Sequence, residues 1–325
     1  MTLGRPRWKT PALAGVLLCA LLLAGCATPP QTAALREAWP AQLTPRVLLT
    51  QVPFFPQDDR LCGPATLAMV AQAAGRPVTP AQLTPQVYLP GREGALQTEM
   101  LAAARRQGLV AYLLAPTLQA VLAEVASGHP VLVLQNLALP FSPMWHYAVV
   151  VGYDREAGTL TLHSGTTERL VMPLTTFEHT WARSDHWAVR VTPPQALPVT
   201  ARPDGWAVAA AALERSDVRA AHEAYRSGLA RWPHQQTLML GLGNTAYALG
   251  QPEAAASAYE RTVEAHPAFA DAWNNLAQVR MEQGRLDEAR QAAARAVALG
   301  GLRLPDYRAL LQEVERQARV PGRTP

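Results

Sequence analysis

Three residues of this chain have the types and the spacing to carry out acyl chemistry. Cys62 stands in QDDRLCGPATLAMV, directly before Gly63-Pro64 and an apolar run of helical texture. Gln57 lies five residues upstream, and His146 opens the run HYAVVVGYD 84 residues downstream. A thiolate is a competent nucleophile once an imidazole can take its proton. A neighbouring amide can donate to the oxygen that becomes negative in a tetrahedral intermediate. Each residue has a plainer reading: a small apolar side chain at a helix start, a polar loop residue, a histidine at a strand end. Taken in order, the three favour a catalytic site.

The elements around them must hold that geometry. Pro64 suits the first turn of a helix, which puts Cys62 at or next to the N-cap, where the helix dipole stabilises a thiolate. RVLLTQV reads as a strand, PATLAMVAQAAG and ALQTEMLAAARRQG as helices. LVAYLL, PVLVLQ, WHYAVVVGYD, TLTLHS, ERLVMPL and HWAVRVT are short apolar or alternating runs bounded by turn residues, hence strands. Helices that precede a cluster of consecutive strands predict an α+β domain over residues 46–192. A proline-rich linker is expected over 193–203.

Beyond the linker the chain repeats with a period of 34 residues. Pro233 and Pro267, Gly250 and Gly284, Ala255 and Ala289, and Tyr225 and Tyr259 all fall in register. This is the tetratricopeptide pattern, and it predicts an all-α solenoid over 204–319 with a polar closing helix in LPDYRALLQEVERQAR. Such repeats suit a protein partner or an extended peptide.

Residues 1–25 carry Arg5, Arg7 and Lys9 and then ALAGVLLCALLLAG, the layout of a secretory signal. Leu23-Ala24-Gly25-Cys26 resembles the bacterial lipobox. That resemblance implies lipidation of Cys26, a tether over 26–45, and attachment to the outer membrane facing the periplasm, since Ala27 stands where an aspartate would favour retention in the inner membrane. Of three cysteines, Cys19 leaves with the signal and Cys26 takes the lipid, so no intramolecular disulfide is open to Cys62. A thiol kept in an oxidising compartment is either inert or kept for chemistry. The full chain has a formal charge of +4, and removing three basic groups leaves about +1, which is no footprint for nucleic acid. His163, His179 and His186 lack metal-ligand spacing, and no cofactor motif is present.

VPFFPQDDRLCGPATLAMV followed by WHYAVVVGYD resembles the papain-like cysteine peptidases of the bacteriocin-processing, double-glycine-leader type. The whole layout is similar to bacterial lipoproteins that join such a domain to tetratricopeptide repeats. The resemblance implies that Cys62 is the nucleophile, His146 the general base and Gln57 the oxyanion donor, acting on a polypeptide. The family places Asp or Asn at the end of the strand after the histidine strand, where this chain has Ser164. A hydroxyl can orient an imidazole but cannot stabilise an imidazolium as a carboxylate does. Asp154 and Asp185 are the alternative orienters, with Asp154 expected to serve a turn. Two other readings stand beside peptidase: γ-glutamyl or acyl transfer by the same thiol, and a degenerate peptidase fold used as a binding module.

Overall fold

A computed structural model describes residues 28–57 and 61–319; the expected signal segment and Cys26 lie outside the described residues. Helix α1 (Pro30–Glu37) and strand β1 (Arg46–Leu48) come first. Helices α2 (Cys62–Ala73) and α3 (Pro80–Val87) follow. A small hairpin, β2 (Tyr88–Leu89) and β3 (Gly94–Ala95), leads into α4 (Gln97–Arg106). Then come β4 (Val110–Leu113), α5 (Leu118–Ala126) and β5 (Val131–Asn136). Three consecutive strands, β6 (Trp145–Asp154), β7 (Thr159–Ser164) and β8 (Thr167–Pro173), precede α6 (Leu174–Ala182) and β9 (Ala188–Thr192).

The large sheet is antiparallel, in the order β4-β9-β5-β6-β7-β8, with β1 paired to the far end of β6. Gly152 sits where β1 crosses: a Cβ there would lie 2.6 Å from the Val47 carbonyl oxygen, so the glycine of HYAVVVGYD is a close-approach residue. Alternation along β6 feeds two cores. Tyr147, Val149 and Val151 pack with α2 and Cys62, whereas Ala148 and Val150 pack with α5 and α6. Burial of both faces explains why the strand is apolar without interruption.

Helices α3, α5 and α6 go beyond the sequence expectation. PAQLTPQV carries an internal proline, and LTTFEHTWA is rich in β-branched and aromatic residues, so intrinsic helix propensity is low in both. The clearer signal for α3 is its capping box, in which Thr79 accepts from the Gln82 amide while the Gln82 side chain accepts from Thr79.

The segment expected as a tether over 26–45 is folded through α1, which corrects that reading. The buried Glu178 carboxylate of α6 accepts from the Gln31 backbone N–H at 2.8 Å, and from the Thr32 backbone N–H and hydroxyl at 2.6 Å. The first amides of a helix have no partner within it, and a carboxylate there also meets the positive end of the dipole. The Gln31 side chain in turn accepts from the Leu118 N–H at 2.6 Å, capping the start of α5.

The repeats follow as α7 (Pro203–Ala211) and α8 (Val218–Arg231), α9 (Gln236–Ala248) and α10 (Pro252–Ala265), α11 (Ala270–Glu282) and α12 (Leu286–Leu299), closed by α13 (Leu304–Ala318). The 34-residue phase is structural. Gly250 and Gly284 turn each pair with φ of 71° and 73°. Gly243 admits the Tyr259 ring, whose nearest atom would lie 2.4 Å from an added Cβ.

The proline-rich 193–203 segment is packed rather than loose. Ser227 donates to the Pro194 carbonyl at 2.6 Å, and Thr200 donates from both N–H and hydroxyl to Glu124 Oε1 at 2.8 and 2.6 Å. Trp206 of α7 lies 6.4 Å from the Tyr112 ring of β4, within one continuous apolar core. The two domains are therefore welded along β4 and α5.

Candidate active site

Cys62 is the first residue of α2, with Leu61 as its cap, and its side chain is buried. Pro64 thus falls in the first turn as expected, at its third position. The reason for the glycine between them is steric. A Cβ on Gly63 would lie 2.6 Å from Ala95 Cβ and 3.2 Å from the Met100 sulfur, so only glycine lets the helix start press against β3. The Thr66 hydroxyl returns to the Cys62 carbonyl at 2.6 Å, holding the first turn.

Cys62 opens onto a cleft of about 550 Å³. One wall is the β2–β3 hairpin region with Glu93, Ala95 and Leu96; the other carries Leu134, Trp145, Tyr147 and the Arg183–Asp185 turn. Trp145 is half exposed at the rim, so it is a cleft residue and not a core aromatic. Tyr147 is the residue that sequence reasoning left unassigned. Its hydroxyl donates to the Ala95 carbonyl at 3.3 Å. Burial, and then the charge of the adjacent Cys62 thiol, push the phenol well above its ordinary pKa. It stays a neutral donor beside the sulfur.

His146, between those two cleft residues, is buried, and its Nε2 lies 2.9 Å from the Ser164 hydroxyl at the end of β7. Ser164, the residue expected near the imidazole, is thus within hydrogen-bond distance of it. His146 pairs with Gln135 across β5 and β6, and Gln135 donates to Thr180 of α6 at 2.7 Å. His146 therefore shares the strand parity of Ala148, and Cys62 belongs to the cluster of Tyr147 and Val149. Trp145 and Tyr147, which flank the histidine along β6, line the cleft onto which Cys62 opens.

Gln57 joins the same corner. Its backbone N–H donates to the Gly165 carbonyl at 3.2 Å, next to Ser164. Its side chain is 7% exposed, and neither the Nε2 nor the Oε1 has a hydrogen-bond partner among the described residues. A buried amide left unsatisfied costs about 1–3 kcal/mol.

Asp154 and His163 have structural employment. Asp154 pairs with Arg46 at 3.4 Å and accepts from the Ala157 N–H at 3.0 Å, serving the turn as expected. His163 Nε2 lies 3.3 Å from the Val52 carbonyl, and its Nδ1 accepts from the Arg169 N–H at 3.3 Å. Burial lowers its pKa below the usual histidine range. Asp185 lines the cleft in a left-handed turn with φ of 53°.

An α+β domain with a helix-borne cysteine and a strand-borne histidine, followed by paired helices, defines the class: a papain-like domain joined to a tetratricopeptide solenoid. Residues 49–189 match the Peptidase_C39 like family. Residues 209–255 and 240–302 match a tetratricopeptide repeat family. None of the curated proteins matches this chain. Among solved structures, a C39-like peptidase from Bacillus anthracis is 19% identical, over 45% of this chain and 97% of that one, with a TM-score of 0.39. The Yersinia enterocolitica type III secretion chaperone SycD, in complex with a peptide of the translocator YopD, is 17% identical, over 36% of this chain and 94% of that one, with a TM-score of 0.34.

Proposed function

We propose that this chain is a lipid-anchored cysteine peptidase of the periplasm, held at the outer membrane through Cys26, whose repeats recruit the substrate or a partner. Cys62 attacks the scissile carbonyl as a thiolate. His146 takes the thiol proton and returns it to the leaving amine, forming an acyl-enzyme that water then hydrolyses. Ser164 orients the imidazole by holding Nε2, which leaves Nδ1 for the thiol. The Gln57 amide and the Cys62 backbone N–H receive the oxyanion. The observation that carries this reading is the His146–Ser164 hydrogen bond of 2.9 Å, because it holds the ring of a histidine flanked by two residues of the cysteine's cleft.

The hydroxyl at Ser164 also favours a second reading, a peptidase fold with little turnover that binds polypeptides. One experiment decides between them. The purified protein is treated with iodoacetamide near neutral pH and assayed on peptides. Labelling of Cys62 faster than free cysteine, with activity lost in Cys62→Ala, supports the enzyme. Labelling no faster than free cysteine, with activity unchanged in Cys62→Ala, overturns it. Transfer to an added amine in excess of hydrolysis would identify the acyl-transferase variant of the same chemistry.

A further inference from the structure

The hairpin between β5 and β6, LALPFSPMW, carries no charge and exposes Leu137, Leu139, Phe141, Met144 and Trp145. Phe141 is 84% exposed. Soluble surfaces rarely gather so many large apolar groups in one short segment without a partner. Nor is the hairpin loose. Leu137 N–H donates to the Met144 carbonyl at 2.9 Å, Ser142 N–H to the Leu139 carbonyl at 3.0 Å, and the Asn136 side chain accepts from the Met144 N–H at 2.9 Å. These bonds build the turn that presents the apolar tips.

Its position points to the occupant. The start of α1 is fixed to Glu178 of α6. Five residues further on, about 7.5 Å at helical rise, Arg183 donates to the carbonyls of Asn136 and Ala138 at 3.0 and 2.7 Å, in the stem of the hairpin. The N-terminal helix and the apolar hairpin therefore sit at the same end of the sheet. Between Cys26 and Pro30 there are four residue steps, which span at most about 14 Å. A chain anchored at Cys26 holds that end of the domain against the lipid surface.

We propose that the 137–145 hairpin is a membrane-contact element that buries Leu139, Phe141 and Met144 in the lipid interface beside the N-terminal anchor. Trp145 then sits at headgroup level, where tryptophan is favoured. Because Pro143 and Trp145 also line the cleft, the cleft mouth lies at the bilayer, and the polypeptides that reach Cys62 are those at the membrane surface. The orientation rests on the lipid-anchored reading above, whereas the hairpin's affinity for lipid does not.

The test uses the full chain in phosphatidylcholine vesicles with bromine-labelled acyl chains, reading tryptophan fluorescence. The Trp145 signal is the difference between wild type and Trp145→Phe. The expected result is strong bromolipid quenching of that signal, lost in Leu139→Ser/Phe141→Ser with an unchanged Tm. Absence of bromolipid quenching together with quenching by aqueous iodide overturns the proposal. So does a double variant that keeps its lipid quenching and instead raises KM for soluble peptides severalfold, which would make the hairpin a substrate rim. Quenching that persists in Cys62→Ala or in Cys26→Ala supports the hairpin even if the peptidase or the lipidation reading fails.

Discussion

Nε2 of His146 lies 2.9 Å from the hydroxyl of Ser164, on neighbouring strands. The pair directs the imidazole without adding charge to it. A carboxylate in that position would favour imidazolium and hence the thiolate–imidazolium pair.

Ser164→Asp is therefore expected to raise kcat/KM on peptides and to extend the rate plateau to higher pH. Ser164→Ala should lower kcat/KM by about twofold to tenfold, the worth of one neutral hydrogen bond. Both are read from pH–rate profiles. A profile that is unmoved in both variants would remove Ser164 from the site.

Gln57 offers a separation of activity from stability. Its buried amide satisfies no partner among the described residues, so Gln57→Met should leave the urea midpoint unchanged or slightly raised. The same substitution should reduce kcat by about 10²–10³-fold, as loss of an oxyanion donor does. Parallel loss of stability and activity would mark Gln57 as structural.

Glu124 joins three parts of the fold. It is fully buried, lies 3.8 Å from Arg190 of β9, and accepts both hydrogen bonds from Thr200 of the inter-domain segment. Burial pulls the Arg190 pKa down to about 10 while Glu124 opposes that shift. Glu124→Ala leaves a buried guanidinium without its carboxylate and should cost about 3–5 kcal/mol in urea unfolding. Glu124→Gln, which keeps an acceptor for Thr200, should cost less.

Acid should destabilise the protein ahead of any carboxylate titration. His129, His163 and His222 all have lowered pKa values, with burial the leading cause. Their unfolded forms bind protons more readily than their folded forms. Stability is thus fully present above the ordinary histidine pKa, near 6.5, and falls as the pH drops below it toward the folded values. The Tm measured from pH 8 to pH 5 should decline below about pH 6.5, and His163→Gln should flatten part of that slope.

Docking of α1 is testable without an assay for catalysis. Glu178→Ala removes the acceptor of three hydrogen bonds at the start of α1. Limited trypsin digestion should then cut at Arg36, which is exposed, while the wild type resists. Equal cutting rates would show that other contacts hold the helix.

Much of this was legible in the sequence because it was local or periodic. The 34-residue phase requires glycines at tight turns and under tyrosine rings, and those pressures leave fixed positions in the chain. Cys62 before Gly-Pro announced a helix start, and the apolar run after His146 announced a strand. What stayed hidden depended on partners far away in sequence. Residues 26–45 read as a tether because α1 has only a modest apolar face of its own. Its stability comes from Glu178, 146 residues beyond Thr32. Residues 193–203 read as a linker because prolines break elements, and Glu124 and the repeat helix α8 supply the contacts that order them.

The site divides in the same way. Residue types and order alone determined that a thiol, an imidazole and an amide were available, and the family resemblance implied that a hydroxyl stood where Asp or Asn is usual. Only the tertiary structure decided that Ser164 meets His146, that Tyr147 stays neutral beside Cys62, and that the Gln57 amide is buried without a described partner. Those are properties of distance and dielectric, which a strand pairing creates and a sequence position does not contain.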